Sequence, residues 1–251
     1  MNRKLILILI VAFVVVMSFI YWIFFRSKVL VVEKEGPKQY IVALGRKDLS
    51  EDAVLKAFSR NSVLGVSDSS YRLKLNEAQY NQFKNLNLSH TVLPDVFLID
   101  KNGMAIWKVK FYQPVYPTKV QLIANYGRII KEEIDNEQSV LIWTNQEGAQ
   151  KISDLDIVSS VTGYTADERV AVDLGSKLTA DPINIKLNIL IIDNNLESIK
   201  KQIISFGSKI IEDDGSILID ASLSSVVLNV ETDYKGLENL LVSFPQLIYV
   251  Y

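Results

Sequence analysis

The chain carries one histidine, His90, and no cysteine. Thiol catalysis and histidine-rich metal sites are therefore excluded, because both need nucleophiles or ligands in groups. A serine hydrolase would have to use His90 as its base. That residue lies beside a predicted strand, and no Gly-x-Ser-x-Gly elbow accompanies it; a surface or strand-end histidine is the simpler reading. Glu212-Asp213-Asp214 could bind a cation, but Gly215 follows directly and makes the stretch read as a hairpin turn. Lys131-Glu132-Glu133 and Asp135-Asn136-Glu137 read as solvated strand ends and a turn. Neither the phosphate loop Gly-x-x-x-x-Gly-Lys-Ser/Thr nor Gly-x-Gly-x-x-Gly occurs. Asn87-Leu88-Ser89 matches a glycosylation sequon, a spacing too frequent to carry weight. These residues predict no enzyme, no cofactor and no metal.

Charge excludes another class. Lysine and arginine total 27 against 29 acidic residues, for a formal net charge of -2. No basic stripe of the kind a phosphate backbone demands is present, so nucleic acid is not an expected partner.

The strongest single feature is the uncharged run Leu5 to Phe25. At about 1.5 Å per residue it makes roughly 32 Å of helix, enough to cross a bilayer core. A cleaved signal peptide is the rival reading. Its apolar stretch would be shorter and would end in a small-x-small site, whereas this one ends in Tyr21-Trp22-Ile23-Phe24-Phe25 and Arg26. Tyr21, Trp22 and Arg26 are the expected membrane-interface residues, since aromatics and cations settle at the headgroup level. Residues 1–28 are thus read as an uncleaved signal anchor. Arg3 and Lys4 face Arg26 and Lys28, so the charge rule picks no orientation. An N-terminal anchor followed by all of the folded mass usually places that mass outside the cytoplasm. The expectation is a single-pass cell-membrane protein with extracytoplasmic domains.

Beyond the anchor the chain repeats itself. Asn125-Tyr126-Gly127-Arg128-Ile129-Ile130-Lys131-Glu132 echoes Ser205-Phe206-Gly207-Ser208-Lys209-Ile210-Ile211-Glu212. Before the later copy, Leu196, Ile199, Ile203 and Phe206 share one helical face. Asn194 and Glu197 have capping spacing, and Glu197 can reach Lys201. The glycine is expected to stop the helix at positive φ. Strand, short helix and strand follow in each copy, as in Ser139–Trp143, Glu147–Leu155 and Ile157–Val161, or Val226–Val230, Lys235–Ser243 and Leu247–Val250. Pro245 marks the break after the last helix. An earlier copy runs through Tyr71–Leu75, Glu77–Leu86 and His90–Leu93. Preceding strands at Gln39–Leu44, Ala105–Tyr112 and Ile185–Ile192, with a helix opening at Asp48-Leu49-Ser50-Glu51, complete the units. Each reads β-α-β-β-α-β, the ferredoxin-like plan of one four-stranded sheet with two helices on one face.

The predicted class is therefore α+β, a transmembrane helix followed by three tandem ferredoxin-like domains at 38–100, 104–164 and 185–251. Residues 165–184, with Asp181-Pro182 and no sustained period, read as a linker or an inter-repeat arm. Ser216 to Asp220 reads as part of a hairpin inserted into the third unit. The face of each sheet away from its helices is expected to be free for binding.

The repeats resemble the propeptide and inhibitor domains of subtilisin-like serine proteases. Phe206-Gly207-Ser208-Lys209-Ile210-Ile211 and Leu240-Leu241-Val242-Ser243-Phe244-Pro245-Gln246-Leu247-Ile248-Tyr249-Val250 carry the pattern best. The resemblance covers the third unit, nearly all of the second, and Tyr71 to Asp95 of the first. It implies a sheet face that packs on a protease and a tail that enters the active-site cleft. Here Tyr251 stands inside or just after the last strand, which leaves no such tail. Residues Asp95 to Gly103, and those from Thr165 on, follow the last strands of the first two units and read equally as connectors.

Aromatic residues are the remaining surface clue. Trp107, Phe111, Tyr112 and Tyr116 gather at the start of the second unit, around Pro114 and Pro117. Such clusters anchor interfaces, and the alternative is strand core plus an inter-repeat joint. Tyr249 and Tyr251 share one face of the last strand and flank its edge, where another chain can dock. Trp107, Tyr112, Tyr116, Tyr249 and Tyr251 are thus the candidate protein-binding residues. The expected function is a non-enzymatic regulator, chaperone or assembly partner of a subtilisin-like protease. The alternative is a structural cell-envelope scaffold that self-assembles or supports a larger membrane complex.

Overall fold

The computed structural model describes residues 30–33, 38–45, 62–66, 70–86, 88, 90–112, 117–132, 138–175, 181–192, 196–212, 217–220 and 223–251. The apolar run and the helix expected from Asp48 lie outside them. Among the described residues no helix is long and apolar enough to cross a membrane. The chain is mixed α+β, and its paired strands run antiparallel.

In the first unit, β2 (Gln39–Gly45), β3 (Val63–Val66), β4 (Ser70–Asn76) and β5 (His90–Leu93) form a sheet in the order β3-β4-β2-β5. Helix α1 (Glu77–Lys84) joins β4 to β5. The second unit holds β7 (Met104–Phe111), α2 (Pro117–Ala124), β8 (Arg128–Glu132), β9 (Ser139–Asn145), α3 (Gln146–Ser153) and β10 (Val158–Gly163). Its strand order is β10-β7-β9-β8. The third holds β11 (Ile183–Ile191), α5 (Leu196–Ser205), β12 (Lys209–Glu212), β13 (Ile217–Asp220), β14 (Leu223–Thr232), α6 (Tyr234–Ser243) and β15 (Leu247–Val250). Its order is β12-β14-β11-β15. Each unit thus places its first strand in the centre, β2 beside β4, β7 beside β9 and β11 beside β14. Strand β13 pairs with the first half of β14 and β12 with the second, so both line the same edge. Asp220 pairs with Leu223, and the turn expected at Asp213 to Gly215 lies outside the described residues.

Local chemistry explains the second helix of each unit. Asn76 and Asn145 at the ends of β4 and β9, and Asp233 just after β14, are extended and accept a hydrogen bond from a helix N–H, those of Gln79, Gly148 and Gly236. In the first unit Gln79 answers the Asn76 N–H, which completes a capping box. In the other two, the threonine before the cap leaves no room for a side chain three residues into the helix. A Cβ on Gly148 would lie 2.1 Å from Thr144 Oγ1, and one on Gly236 would lie 2.3 Å from Thr232 Oγ1. The spacing Thr-Asn/Asp-x-x-Gly is thus a packing signature shared by units two and three. Sequence reading by helix and strand period passed over it.

The two aromatic-glycine helix ends are not equivalent. Gly207 has φ +88 and stops α5 as expected. Gly127 does not have positive φ; space requires it, because a Cβ would come within 2.7 Å of Thr144 Cβ and the Trp143 carbonyl. Glu197 pairs with Lys200 at 3.4 Å, one residue short of the expected partner Lys201; Asn194 lies outside the described residues.

Alternation gives each sheet two apolar faces rather than one, which overturns the expectation of free sheet surface. On the helix side of unit one, Val42, Leu44, Leu73 and Leu75 pack with Phe83. On the other side Ile41, Ala43 and Leu93 are also buried, against Ala166, Val170, Ala171 and Leu174. In unit two, Val109, Val140 and Ile142 pack on Val120, Ile123 and Ile152 of the helices. The opposite face offers Ile106, Leu141 and Trp143, which meet Leu190 and Ile248 of unit three. Faces that carry such residues leave water at about 25 cal/mol per Å² of apolar area, so they close on one another.

Two further elements join the units. Strand β1 (Leu30–Glu33) pairs with β6 (Val96–Ile99), from Leu30 opposite Ile99 to Glu33 opposite Val96. The segment expected to be a linker or arm forms a 3-10 turn at Asp167–Arg169 and one helical turn, α4 (Val172–Gly175). Among its described side chains, Thr165, Ala166, Asp167, Arg169, Val170, Ala171 and Leu174 are buried.

Candidate functional site

The arm at 164–175 is the point where all three units meet, and buried charge holds it. Arg169 is fully enclosed. Its Nη1 donates to the Phe244 carbonyl at 3.0 Å and the Pro245 carbonyl at 3.3 Å, and Nη2 donates to the Tyr164 carbonyl at 3.0 Å. Phe244 is the C-cap of α6, so the guanidinium sits at the negative end of that helix. Burial brings its pKa down to about 10, against the opposing pull of Tyr164, Glu168 and Asp167, and it stays charged at neutral pH.

Arg72, from the helix-free face of unit one, reaches the same arm. Its Nη1 donates to the Asp167 carbonyl at 2.9 Å and its Nη2 to the Val170 carbonyl. Ser70 Oγ donates to the Val172 carbonyl at 2.6 Å. Burial lowers the Arg72 pKa, and Asp167 opposes that most. The Asp167 carboxyl is itself buried, and its Oδ1 has no hydrogen-bond partner. Desolvation raises its pKa, with Asp95 and Glu168 adding to the rise while Thr165 and Arg72 oppose it.

Glu168 turns the other way. Its Oε2 accepts from the Thr165 N–H at 3.0 Å and hydroxyl at 2.9 Å, and its Oε1 meets Lys108 Nζ of unit two at 3.4 Å. The Thr165-x-x-Glu168 spacing is a capping signal that could have marked this arm as ordered. At its end the Ala171 N–H donates to the Val250 carbonyl, and Val170 bridges Val250 in parallel. The arm thereby covers part of the β15 edge that the sequence offered as a docking site. What this arrangement does chemically is clamp: two guanidiniums hold five backbone carbonyls across unit boundaries.

Of the predicted binding residues, the structure stacks Tyr249 on Tyr251 and places Trp107 in separate contacts. Trp107 is half-buried, donates its indole N–H to the Thr144 carbonyl at 3.0 Å, and sits edge-on to Phe97 at 4.8 Å. It serves core and joint. Tyr112 is 70% exposed just beyond β7, while Tyr116, Tyr21, Trp22 and Arg26 lie outside the described residues. Tyr249 is half-buried between two core clusters. Tyr251, 46% exposed, stacks on Tyr249 at 6.0 Å and exchanges backbone hydrogen bonds with Lys186. His90 is a packed strand residue, with Nδ1 2.8 Å from the Leu88 carbonyl and its ring edge-on to Phe83.

One open cleft of about 360 Å³ lies where β7 begins and β9 ends. Asp100, Asn102, Arg128 and Asn145 supply its polar groups; Met104, Tyr126, Trp143 and Ile192 supply its apolar wall. Asp100 Oδ1 accepts from the Asn102 and Met104 N–H groups at 2.8 Å each, and Gly103 closes the turn at φ +77. Among the described residues no three His, Cys, Asp or Glu side chains come together as a metal site. Neither a protein-family model nor a curated protein matches this chain.

Proposed function

We propose that the protein is a non-enzymatic, single-pass membrane-anchored binding protein whose three ferredoxin-like units act together as an assembly platform outside the cytoplasm. The observation that carries this reading is the use of helix-free sheet faces inside the molecule. Ile106, Leu141 and Trp143 of unit two meet Leu190 and Ile248 of unit three, and Arg72 of unit one grips the arm between them. Units that spend their faces on one another build a platform, not three independent binding modules. A protein partner then meets strand edges. Strand β3 is one such edge, with Leu64 48% and Val66 49% exposed. Edge strands accept extended segments of other chains by backbone pairing.

A subtilisin-like protease is the partner class that the resemblance names. It is supported by the order of elements in units two and three and by the positive φ at Gly207. Such a protease would have to engage an edge or a helix, since the sheet faces are covered. The second reading, a self-associating envelope scaffold, rests on the same mutual packing of units. Pull-down of the full chain from native membranes separates the two. A co-purified serine protease supports the first reading, and recovery of the chain alone, as an oligomer, supports the second. Undiminished turnover of a subtilisin at micromolar protein would remove direct inhibition.

A further inference from the structure

We propose that the end of the molecule carrying the Asp100–Met104 turn lies against the bilayer surface, and that the cleft behind this turn receives a zwitterionic phospholipid headgroup. The inference rests on the membrane-anchor reading of residues 5–25. The apolar run ends at Phe25, and Leu30 is already paired with Ile99, so only residues 26–29 lie between them. Five Cα steps of at most about 3.6 Å reach roughly 18 Å. Because β1 runs antiparallel to β6, the chain arrives at Leu30 from the side toward which β6 departs, the side of Asp100. The turn that forms the cleft's lip is therefore the first part of the body that the lipid surface meets. Tyr112, at the other end of β7, is eight residues from Met104, or about 26 Å along a strand.

The cleft has the chemistry of what it would face. Arg128 offers a guanidinium to a phosphodiester, the pairing in which charge and fork geometry agree. Asp100 places one carboxylate on the same rim, which suits an ammonium group. Met104 and Ile192 give the glycerol and first methylenes an apolar seat. One cation and one anion on the rim favour a phosphate-ammonium ester over a purely anionic headgroup.

The chain has no cysteine, so single labels can be placed cleanly. Full-length protein with Lys101→Cys or Tyr112→Cys, each nitroxide-labelled, goes into phosphatidylethanolamine-rich nanodiscs doped with a nickel-chelating headgroup lipid. Strong paramagnetic relaxation is expected at position 101 and little at 112. In maltoside micelles, glycerophosphoethanolamine should change the fluorescence of a bimane at position 101 saturably. Arg128→Ala, checked for an unchanged melting temperature, should weaken this binding at least tenfold, and glycerol phosphate should bind less well. Chain that never enters the nanodiscs would remove the anchor reading itself. Inserted chain with equal relaxation at the two labels would overturn the apposition alone. Absence of saturable binding, or indifference to Arg128→Ala, would overturn the headgroup site. Binding of the soluble ester with label 101 remote from lipid would leave a site for a free phosphate ester and overturn the lipid assignment.

Discussion

Unit two meets unit three through an apolar joint, whereas unit one is held to both by an arm that carries buried charge. In the first joint Ile106, Leu141 and Trp143 face Leu190 and Ile248, with Tyr164 closing one side. In the second, the Nη groups of Arg72 and Arg169 donate to backbone carbonyls, while the Nε of each arginine and one oxygen of the Asp167 carboxyl go unpartnered. The apolar joint holds no charged side chain in its buried cluster and owes its strength to area. The charged arm bears a desolvation cost that only good geometry offsets, and it fixes a single arrangement of the units.

Substitutions can break each joint separately. Trp143→Ala should cost about 4 kcal/mol, as for other buried tryptophans truncated in a core, in chemical unfolding followed by far-ultraviolet circular dichroism. Arg169→Met keeps much of the volume but orphans the carbonyls of Phe244, Pro245 and Tyr164. A loss of about 3 kcal/mol is expected from those acceptors. A Gly148→Ala variant forces a methyl onto Thr144 Oγ1 and the Tyr126 carbonyl, for about 2 kcal/mol by overpacking. Tyr234→Phe removes the hydroxyl that donates to the Val92 carbonyl at 2.7 Å between units three and one. That single hydrogen bond is worth about 1 kcal/mol, visible as a small drop in melting temperature.

Dependence on pH sharpens the comparison further. The folded-state pKa of Asp167 stands above its unfolded value, so the native state binds the proton more tightly. Its contribution is fully present below the unfolded carboxylate pKa and is lost as pH rises through the higher folded value. Asp167→Asn should flatten that part of the stability profile and make the protein more stable at neutral pH. Trp143→Ala should leave the slope unchanged. Equal slopes in wild type and Asp167→Asn would show that the arm carries no such linkage.

Much of the fold was legible because local signals agreed with it. The ten-residue step from strand to helix core, Leu73 to Phe83, Ile142 to Ile152 and Val230 to Leu240, ends on buried residues each time. The helix stop at Gly207 followed from aromatic-glycine spacing. Gly127 shows the limit of that logic, since its need for space arises from Thr144 and Trp143, which lie far along the chain. The arm escaped for the same reason. Its small and charged residues have no period, and what orders them is carbonyls and guanidiniums contributed by Arg72, Phe244 and Pro245. Aromatic clustering near Trp107 allowed an interface or a core joint, and the ring is taken up by Phe97 and the Thr144 carbonyl, as in the second reading.

By itself the sequence determined the alternation of strands and helices, the repetition of the unit, and the apolar run ahead of it, because period, caps and glycines act within a few residues. Only the tertiary structure decided which sheet faces would be covered, where β1 would dock, and that Arg72, Asp167 and Arg169 would share one buried junction. Those outcomes depend on contacts such as Leu30 with Ile99, Arg72 with Asp167 and Arg169 with Phe244, which are distant in the chain, and no local pattern records them.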